Sequence, residues 1–214
     1  MKVKRLVFGL ESAEVRHLSQ ADKRLDDVIQ SIGEITYNVH TDGFSFVIET
    51  IIGQMLSVKA ADAIKVRLYD VCDGEFSLAT INRLTKSIIK STGLSTNKTE
   101  YIKTFASVIK KDQNFLDRLR ELDDISVIQN LTSIRGIGSW TAKMYLIFVL
   151  NRQDVLPFED GAFLQAYKWL YSTDNTEKTA VIETCKPWCP YSSLAARYLY
   201  VALDSGLVTK TKTL

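Results

Sequence analysis

Apolar residues recur at helical spacing along almost the whole of this chain. Residues 20–32 place Leu25, Val28 and Ile29 on one face and run into Gly33, which predicts a helix with a glycine stop. From residue 44 to 61 the apolar positions are 44, 47, 48, 51, 52, 55 and 56, the pattern of one long, largely buried amphipathic helix. Shorter helices are predicted over 60–69, 80–90 and 98–110. Residues 123–131 carry Ile125, Val127, Ile128 and Leu131 and lead into Gly136-Ile-Gly138. Residues 141–150 are nearly all apolar and predict a core helix, and 161–171, 176–185 and 192–203 complete the set. Period-two alternation is sustained nowhere and is only weakly present at 2–7 and 35–39. The predicted fold class is all-α.

Composition narrows this little. With 214 residues, 46% of them hydrophobic and 24% charged, the chain can bury a core as one unit or as two small lobes. No stretch approaches the roughly 18 consecutive apolar residues of a membrane span, so no membrane partner is expected. The first ten residues are basic but hold too short an apolar run for a cleavable leader. Cys72, Cys185 and Cys189 form no CxxC pair, and with only His17 and His40 beside them they predict no zinc or iron–sulfur site. The net charge of +2 is small, but its distribution is uneven. Arg83, Lys86, Lys90, Lys98, Lys103, Lys110 and Lys111 face a single acid, Glu100, in that stretch, which leaves the rest of the chain net acidic. Such a cluster either neutralises several phosphates or forms an ordinary solvated helix face.

The most informative segment is Leu131-Thr-Ser-Ile-Arg-Gly136-Ile-Gly138-Ser-Trp140-Thr-Ala142. Two glycines lie between two helical patterns, where a tight hairpin turns backbone N–H groups outward beside the positive end of the second helix. That arrangement suits a phosphate, and glycine permits both close approach and positive φ. Behind a proline, Pro157-Phe-Glu-Asp160 then supplies a carboxylate pair. The dinucleotide-binding fingerprint does not fit, because no strand precedes the glycines and its third glycine falls on Thr141.

Five blocks in order carry a family resemblance. Residues 131–142 resemble the helix–hairpin–helix element of the DNA glycosylase superfamily, the HhH-GPD proteins. Ile52-Gly-Gln-Met-Leu-Ser-Val-Lys-Ala-Ala61, Gly93-Leu-Ser-Thr-Asn-Lys98, Asp154-Val-Leu-Pro-Phe-Glu-Asp160 and Trp188-Cys-Pro-Tyr-Ser-Ser-Leu-Ala-Ala-Arg-Tyr-Leu-Tyr200 resemble its other characteristic segments. The resemblance implies a two-lobed helical fold with the active-site cleft between lobes. One lobe would span 44–156; residues 1–43 and 157–214 would make the other and carry the catalytic aspartate. The segment before Phe44 is too short for the large β-rich N-terminal domain of some members.

Within the superfamily, Trp140 stands where lyase members carry a Schiff-base lysine, and Lys143 lies three residues further along the helix. A tryptophan forms no imine, so the chain resembles the monofunctional 3-methyladenine DNA glycosylase II (AlkA-like) branch. By that resemblance Asp160 is the catalyst, with Glu159 as the alternative. Trp140 and Tyr200 match pocket aromatics, and Tyr145 is a further pocket candidate, although packing suits both it and Trp188. Met55, flanked by Gln54 and Leu56, takes the position of the wedge that fills the stack when a base is flipped out. Lys98 and the backbone of Gly136, Gly138 and Thr141 are the phosphate candidates. Tyr200 and Ser192 depart from the tryptophan and arginine usual at those positions. No cofactor or catalytic metal is implied, beyond a structural monovalent cation on the hairpin carbonyls. The partner implied is double-stranded DNA containing damaged bases, bound by a monomer, in the cytoplasm of a prokaryote or the nucleus of a eukaryote. A glycosylase for oxidised or deaminated bases and a non-catalytic sensor of damaged DNA stay open as alternatives.

Overall fold

A computed structural model of the protein describes residues 4–210, so Lys2 and Val3 of the weakly alternating 2–7 segment lie outside the described residues. The chain divides into two compact units, one made of residues up to Val39 with those from Asn151 onward, the other of His40–Leu150. Residues 40–43 therefore group with the second unit and 151–156 with the first, unlike the expected division at 44 and 156.

The first unit opens with strand β1 (Lys4–Phe8), helices α1 (Ala13–Ala21) and α2 (Lys23–Ile32), and strand β2 (Ile35–Val39). The strands pair antiparallel, Lys4 opposite Val39 and Phe8 opposite Ile35. This two-stranded sheet, its strands separated in the chain by α1 and α2, is the one addition to the all-α pattern among the described residues. The expected 20–32 helix starts instead at Lys23, because the Asp22 carboxylate accepts from the N–H groups of Arg24 and Leu25 and caps a new helix there.

Helices α3 (Gly43–Gly53), α4 (Val58–Val71), α5 (Leu78–Arg83), α6 (Lys86–Ser91), α7 (Thr96–Lys111), α8 (Phe115–Arg118), α9 (Asp124–Thr132) and α10 (Ser139–Phe148) build the second unit. Two expected helices are broken here. The 44–61 pattern stops at Gly53, and a new helix starts after Ser57, whose hydroxyl accepts from Ala60 N–H. The 80–90 pattern breaks at Leu84, in extended backbone, and Thr85 caps the next helix on Ile88 N–H. Phe44, Val47, Ile48, Ile51, Ile52, Phe105, Leu131 and Ile147 are buried in its core.

The chain then returns to the first unit with α11 (Gly161–Tyr171), α12 (Lys178–Cys185), α13 (Ser192–Asp204) and α14 (Leu207–Lys210). Its core combines Leu18, Leu25 and Ile29 with Phe163, Trp188, Tyr198 and Leu199. Trp188 is fully buried, its indole N–H donates to Asp22, and its ring stacks on Tyr171, so it is a packing residue. Among the described residues no helix is long and apolar enough to cross a membrane.

Candidate functional site

The second unit holds the hairpin. Helix α9 ends at Thr132, and the chain turns through Gly136 at φ 96° to Gly138, the residue before α10. A Cβ on Gly136 would lie 2.1 Å from Cγ of Tyr101, so the α7 tyrosine ring rests directly on the glycine backbone. Glycine is required there twice over, by φ and by contact. Gly138 is different: a Cβ there meets nothing within 4 Å, so its backbone borders open space. It also offers no side chain to cap α10, whose first intrahelical bond is Ala142 N–H to Gly138 C=O. The positive end of a well-formed helix thus sits behind a bare glycine, the arrangement that favours an anion. Ile137 is buried and its N–H closes the turn on Ile134 C=O at 3.0 Å.

The expected wedge residues split into three fates. Met55 is fully exposed, at 100% relative accessibility, and Leu56 is exposed less completely. Their apolar spacing continued the α3 pattern, but both lie in the turn that ends it. Leu56 N–H bonds Gly53 C=O at 3.2 Å, Gln54 has φ −49° and ψ 126°, and Met55 has φ 56°. These are the angles of a type II turn, whose third residue needs the positive φ that glycine or asparagine normally supplies. A methionine pays for that conformation and gains no burial. Gln54 is no wedge: its side-chain amide donates to Gly136 C=O at 3.0 Å and to Thr141 Oγ at 3.3 Å, pointing into the hairpin.

Lys98 gives up the phosphate role expected of it. Its ammonium donates to Ile52 C=O at 2.8 Å and Gln54 C=O at 2.5 Å, where α3 ends with unpaired carbonyls. Burial holds its pKa below the ordinary lysine value. Lys103, on the same helix, serves the end of α5 in the same way, donating to Ile81 and Leu84 carbonyls. Lys86 pairs with Glu100 and Arg83 with Asp73. Four of the seven cations in the basic stretch are therefore committed to this unit's own structure. Thr141 keeps its backbone in the first turn of α10, but its side chain is buried against Gln54.

Trp140 stands half-buried in the first turn of α10, and Lys143, three residues further along the same helix, is buried. Tyr145 does not belong to a pocket wall. It is fully buried, edge-on to Phe46, and its hydroxyl occupies the space a Cβ on Gly43 would need. Its phenol is pushed up to about 12 by burial.

The first unit holds the carboxylate. Asp160 is 8% exposed and caps α11, accepting Phe163 N–H at 2.7 Å, while Glu159 beside it is exposed. The cap bond fixes the Asp160 rotamer. Tyr200 reaches this carboxylate from α13: burial, and then the neighbouring Asp160 charge, raise its phenol well above the ordinary value. The tyrosine at this position thus brings a hydroxyl to the candidate catalyst. Ser192 likewise finds a use. Its hydroxyl and N–H both donate to Asp154, at 2.5 and 3.3 Å, and Cys189 Sγ contacts the other oxygen at 2.9 Å. Together with Ser193 Oγ accepting from Val155 N–H at 3.0 Å, this fastens the segment before Asp160 to the start of α13.

A family model described as "HhH-GPD superfamily base excision DNA repair protein" matches residues 48–190. The chain belongs to the HhH-GPD superfamily. The matched span contains the Met55 turn, the hairpin and Asp160, and ends before Tyr200. Among HhH-GPD relatives, "DNA-3-methyladenine glycosylase 1" of Schizosaccharomyces pombe is 29% identical over 202 residues, 91% of this chain and 88% of its own. A crystal structure of a DNA-3-methyladenine glycosidase from Bacillus halodurans is similar at TM-score 0.81 and 31% identity, covering 94% of each chain. The S. pombe 3-methyladenine DNA glycosylase Mag1, solved in complex with abasic DNA, is similar at TM-score 0.82 and 27% identity, covering 90% of this chain and 97% of that one.

Sequence reasoning overlooked three contributors. Tyr101 carried no motif, and its contact with Gly136 is long-range. Asp154 stood inside a recognised block but had no role until Ser192 and Cys189 were seen to bind it. The Lys98 target, two carbonyls far along the chain, leaves no local signal.

Proposed function

We propose that this HhH-GPD protein is a monofunctional DNA glycosylase of base excision repair. It hydrolyses the N-glycosidic bond of flipped-out alkylated bases, 3-methyladenine and related purines, and leaves an abasic site. The observation that carries this reading is Asp160: a buried carboxylate with a fixed rotamer and a phenol beside it. Cleavage develops oxocarbenium character on the sugar, and a preorganised carboxylate stabilises that charge or takes a proton from the attacking water. An alkylated purine already carries positive charge and leaves with little acid assistance, so one carboxylate suffices. Trp140 and Tyr200 offer aromatic faces to a cationic base, worth on the order of 0.5–2 kcal/mol per contact. Trp140, which cannot form an imine, supports a reaction without a lyase step.

DNA enters this reading through the second unit. The backbone of Gly136, Gly138 and Thr141 receives phosphate, and Met55 fills the vacated stack. A structural monovalent cation would draw on the hairpin carbonyls: Ile134 C=O, already accepting from Ile137, and Gly136 C=O, already accepting from Gln54, each keep a second lone pair. The enzyme acts as a monomer on double-stranded DNA in the nucleoid or nucleus.

The test is base release from duplexes carrying N-methylated purines, 8-oxoguanine or uracil, by wild type and Asp160→Asn. Free methylated purine is the expected product, with a loss of roughly a hundredfold or more in the variant and no covalent adduct on borohydride treatment. Full activity in Asp160→Asn would remove the catalytic assignment. A trapped adduct would overturn the monofunctional reading, and damage-dependent binding without release of any base would make the protein a sensor.

A further inference from the structure

The methionine turn is held in an unfavourable conformation by the Lys98 side chain from α7 and by the side chain of Gln54 within the turn itself. Type I and type II turns differ by a flip of their central peptide, which moves the third residue from negative to positive φ. Here that peptide joins Gln54 to Met55. Its carbonyl, Gln54 C=O, is the group that Lys98 Nζ grips at 2.5 Å, while a second bond at 2.8 Å holds Lys98 to Ile52 C=O. The Gln54 side chain, from the same turn, bonds Gly136 C=O and Thr141 Oγ. Left alone, an exposed methionine would relax to negative φ, since the positive value costs about 1 kcal/mol or more. No burial of Met55 offsets that cost, because its side chain is fully exposed.

We propose that Lys98 and Gln54 are positioning residues for base flipping: Lys98 locks the central peptide of the turn, and Gln54 ties that turn to the phosphate-binding hairpin. This rests on the glycosylase reading, in which Met55 is the wedge. Met55 is thereby presented erect and at a fixed offset from the hairpin, so gripping the backbone and filling the stack occur in one register. Preorganisation of this kind removes the ordering cost that a mobile wedge would meet at every encounter.

The experiment uses the full chain and a duplex with 2-aminopurine beside an abasic-site analogue, read by stopped-flow fluorescence. Undamaged-duplex affinity and melting temperature are measured in parallel. Lys98→Met and Gln54→Leu should each weaken the flipping signal about fivefold, the scale of one net hydrogen bond. Both should keep undamaged-duplex affinity within about twofold of wild type, the grip on phosphate lying outside the lost bonds. Lys98→Arg should recover most of the loss, and combining Gln54→Leu with Met55→Ala should cost no more than Met55→Ala alone. Thr141→Val, which removes one Gln54 acceptor at constant volume, reads the same link if Gln54→Leu folds poorly. Folded Lys98→Met with wild-type flipping would overturn the proposal. So would a loss of undamaged-duplex affinity equal to the loss of flipping, which would make both residues mere supports of the hairpin. Wild-type flipping by Met55→Ala, which keeps both latches, would instead sink the wedge reading beneath it.

Discussion

Gly136→Ala is the sharpest probe of how the hairpin is built. Two separate penalties meet at this position. The backbone sits at φ 96°, which an L-residue with a Cβ reaches at a cost of about 1–2 kcal/mol. The new methyl would also stand 2.1 Å from Tyr101 Cγ and 2.4 Å from Tyr101 Cβ. The second of those atoms is anchored to the α7 backbone, so rotating the ring cannot clear the clash. Either α7 shifts or the hairpin opens, an overpacking cost of about 1–3 kcal/mol. The sum is roughly 2–5 kcal/mol, or a fall in melting temperature of roughly 4–20 °C for a protein of this size. Thermal unfolding followed by circular dichroism gives the shift, and fluorescence anisotropy with a short duplex gives the accompanying loss of affinity. Adding Tyr101→Ala to Gly136→Ala removes the ring atoms from the clash but leaves the Cβ contact and the φ penalty, so it should return part of the stability, in a non-additive cycle. A Gly136→Ala protein within about 0.5 kcal/mol of wild type would refute the reasoning. Strict additivity in the cycle would refute the steric half alone.

Two further outcomes concern Tyr145. Among the described residues its buried hydroxyl has no hydrogen-bond partner, so Tyr145→Phe should leave stability unchanged or raise it by up to about 1 kcal/mol, read from denaturant midpoints; a loss beyond 1 kcal/mol would mean the hydroxyl is satisfied. In alkali, Tyr145 and Tyr198 hold their protons to about 12, above the ordinary value of 10.0, because burial disfavours the phenolate. The unfolded chain then loses protons first, so their contribution is complete below pH 10 and is lost as pH rises through 12. Absorbance at 295 nm should show these phenols ionising only as the protein unfolds, and reversible titration of every tyrosine near its ordinary value in the folded state would contradict their burial.

How far the chain could be read in advance differs from segment to segment for physical reasons. Helices α11 and α13 were readable because their apolar faces repeat over three turns, and α11 in addition starts at a capping aspartate. The Met55 turn was not, because spacing records only that a residue is apolar. A methionine in a core and a methionine at a turn apex fall on the same helical grid. What separated them was the Gly53-Gln54 break and the Ser57 cap, weak signals inside a strong pattern. The candidate catalyst was singled out by the resemblance of its block and the carboxylate pair behind Pro157, whereas its role as the cap of α11 emerged only from the fold. Charge was the least readable layer. A run of lysines looks like a surface for phosphate, yet Lys98 and Lys103 spend their ammonium groups on helix-end carbonyls of their own unit. Those carbonyls are invisible to any local reading, because a backbone group becomes a ligand only once the fold leaves it unpaired. The other helix pole presents the opposite case: α10 begins behind a glycine with no side chain to cap it, which leaves N–H groups of the kind that favour an anion. Lys98 and Lys103 answer the negative ends of helices, and in the proposed reading the positive end of α10 is what is left for a phosphate, so these two cations mark the scaffold of the site rather than its contact surface.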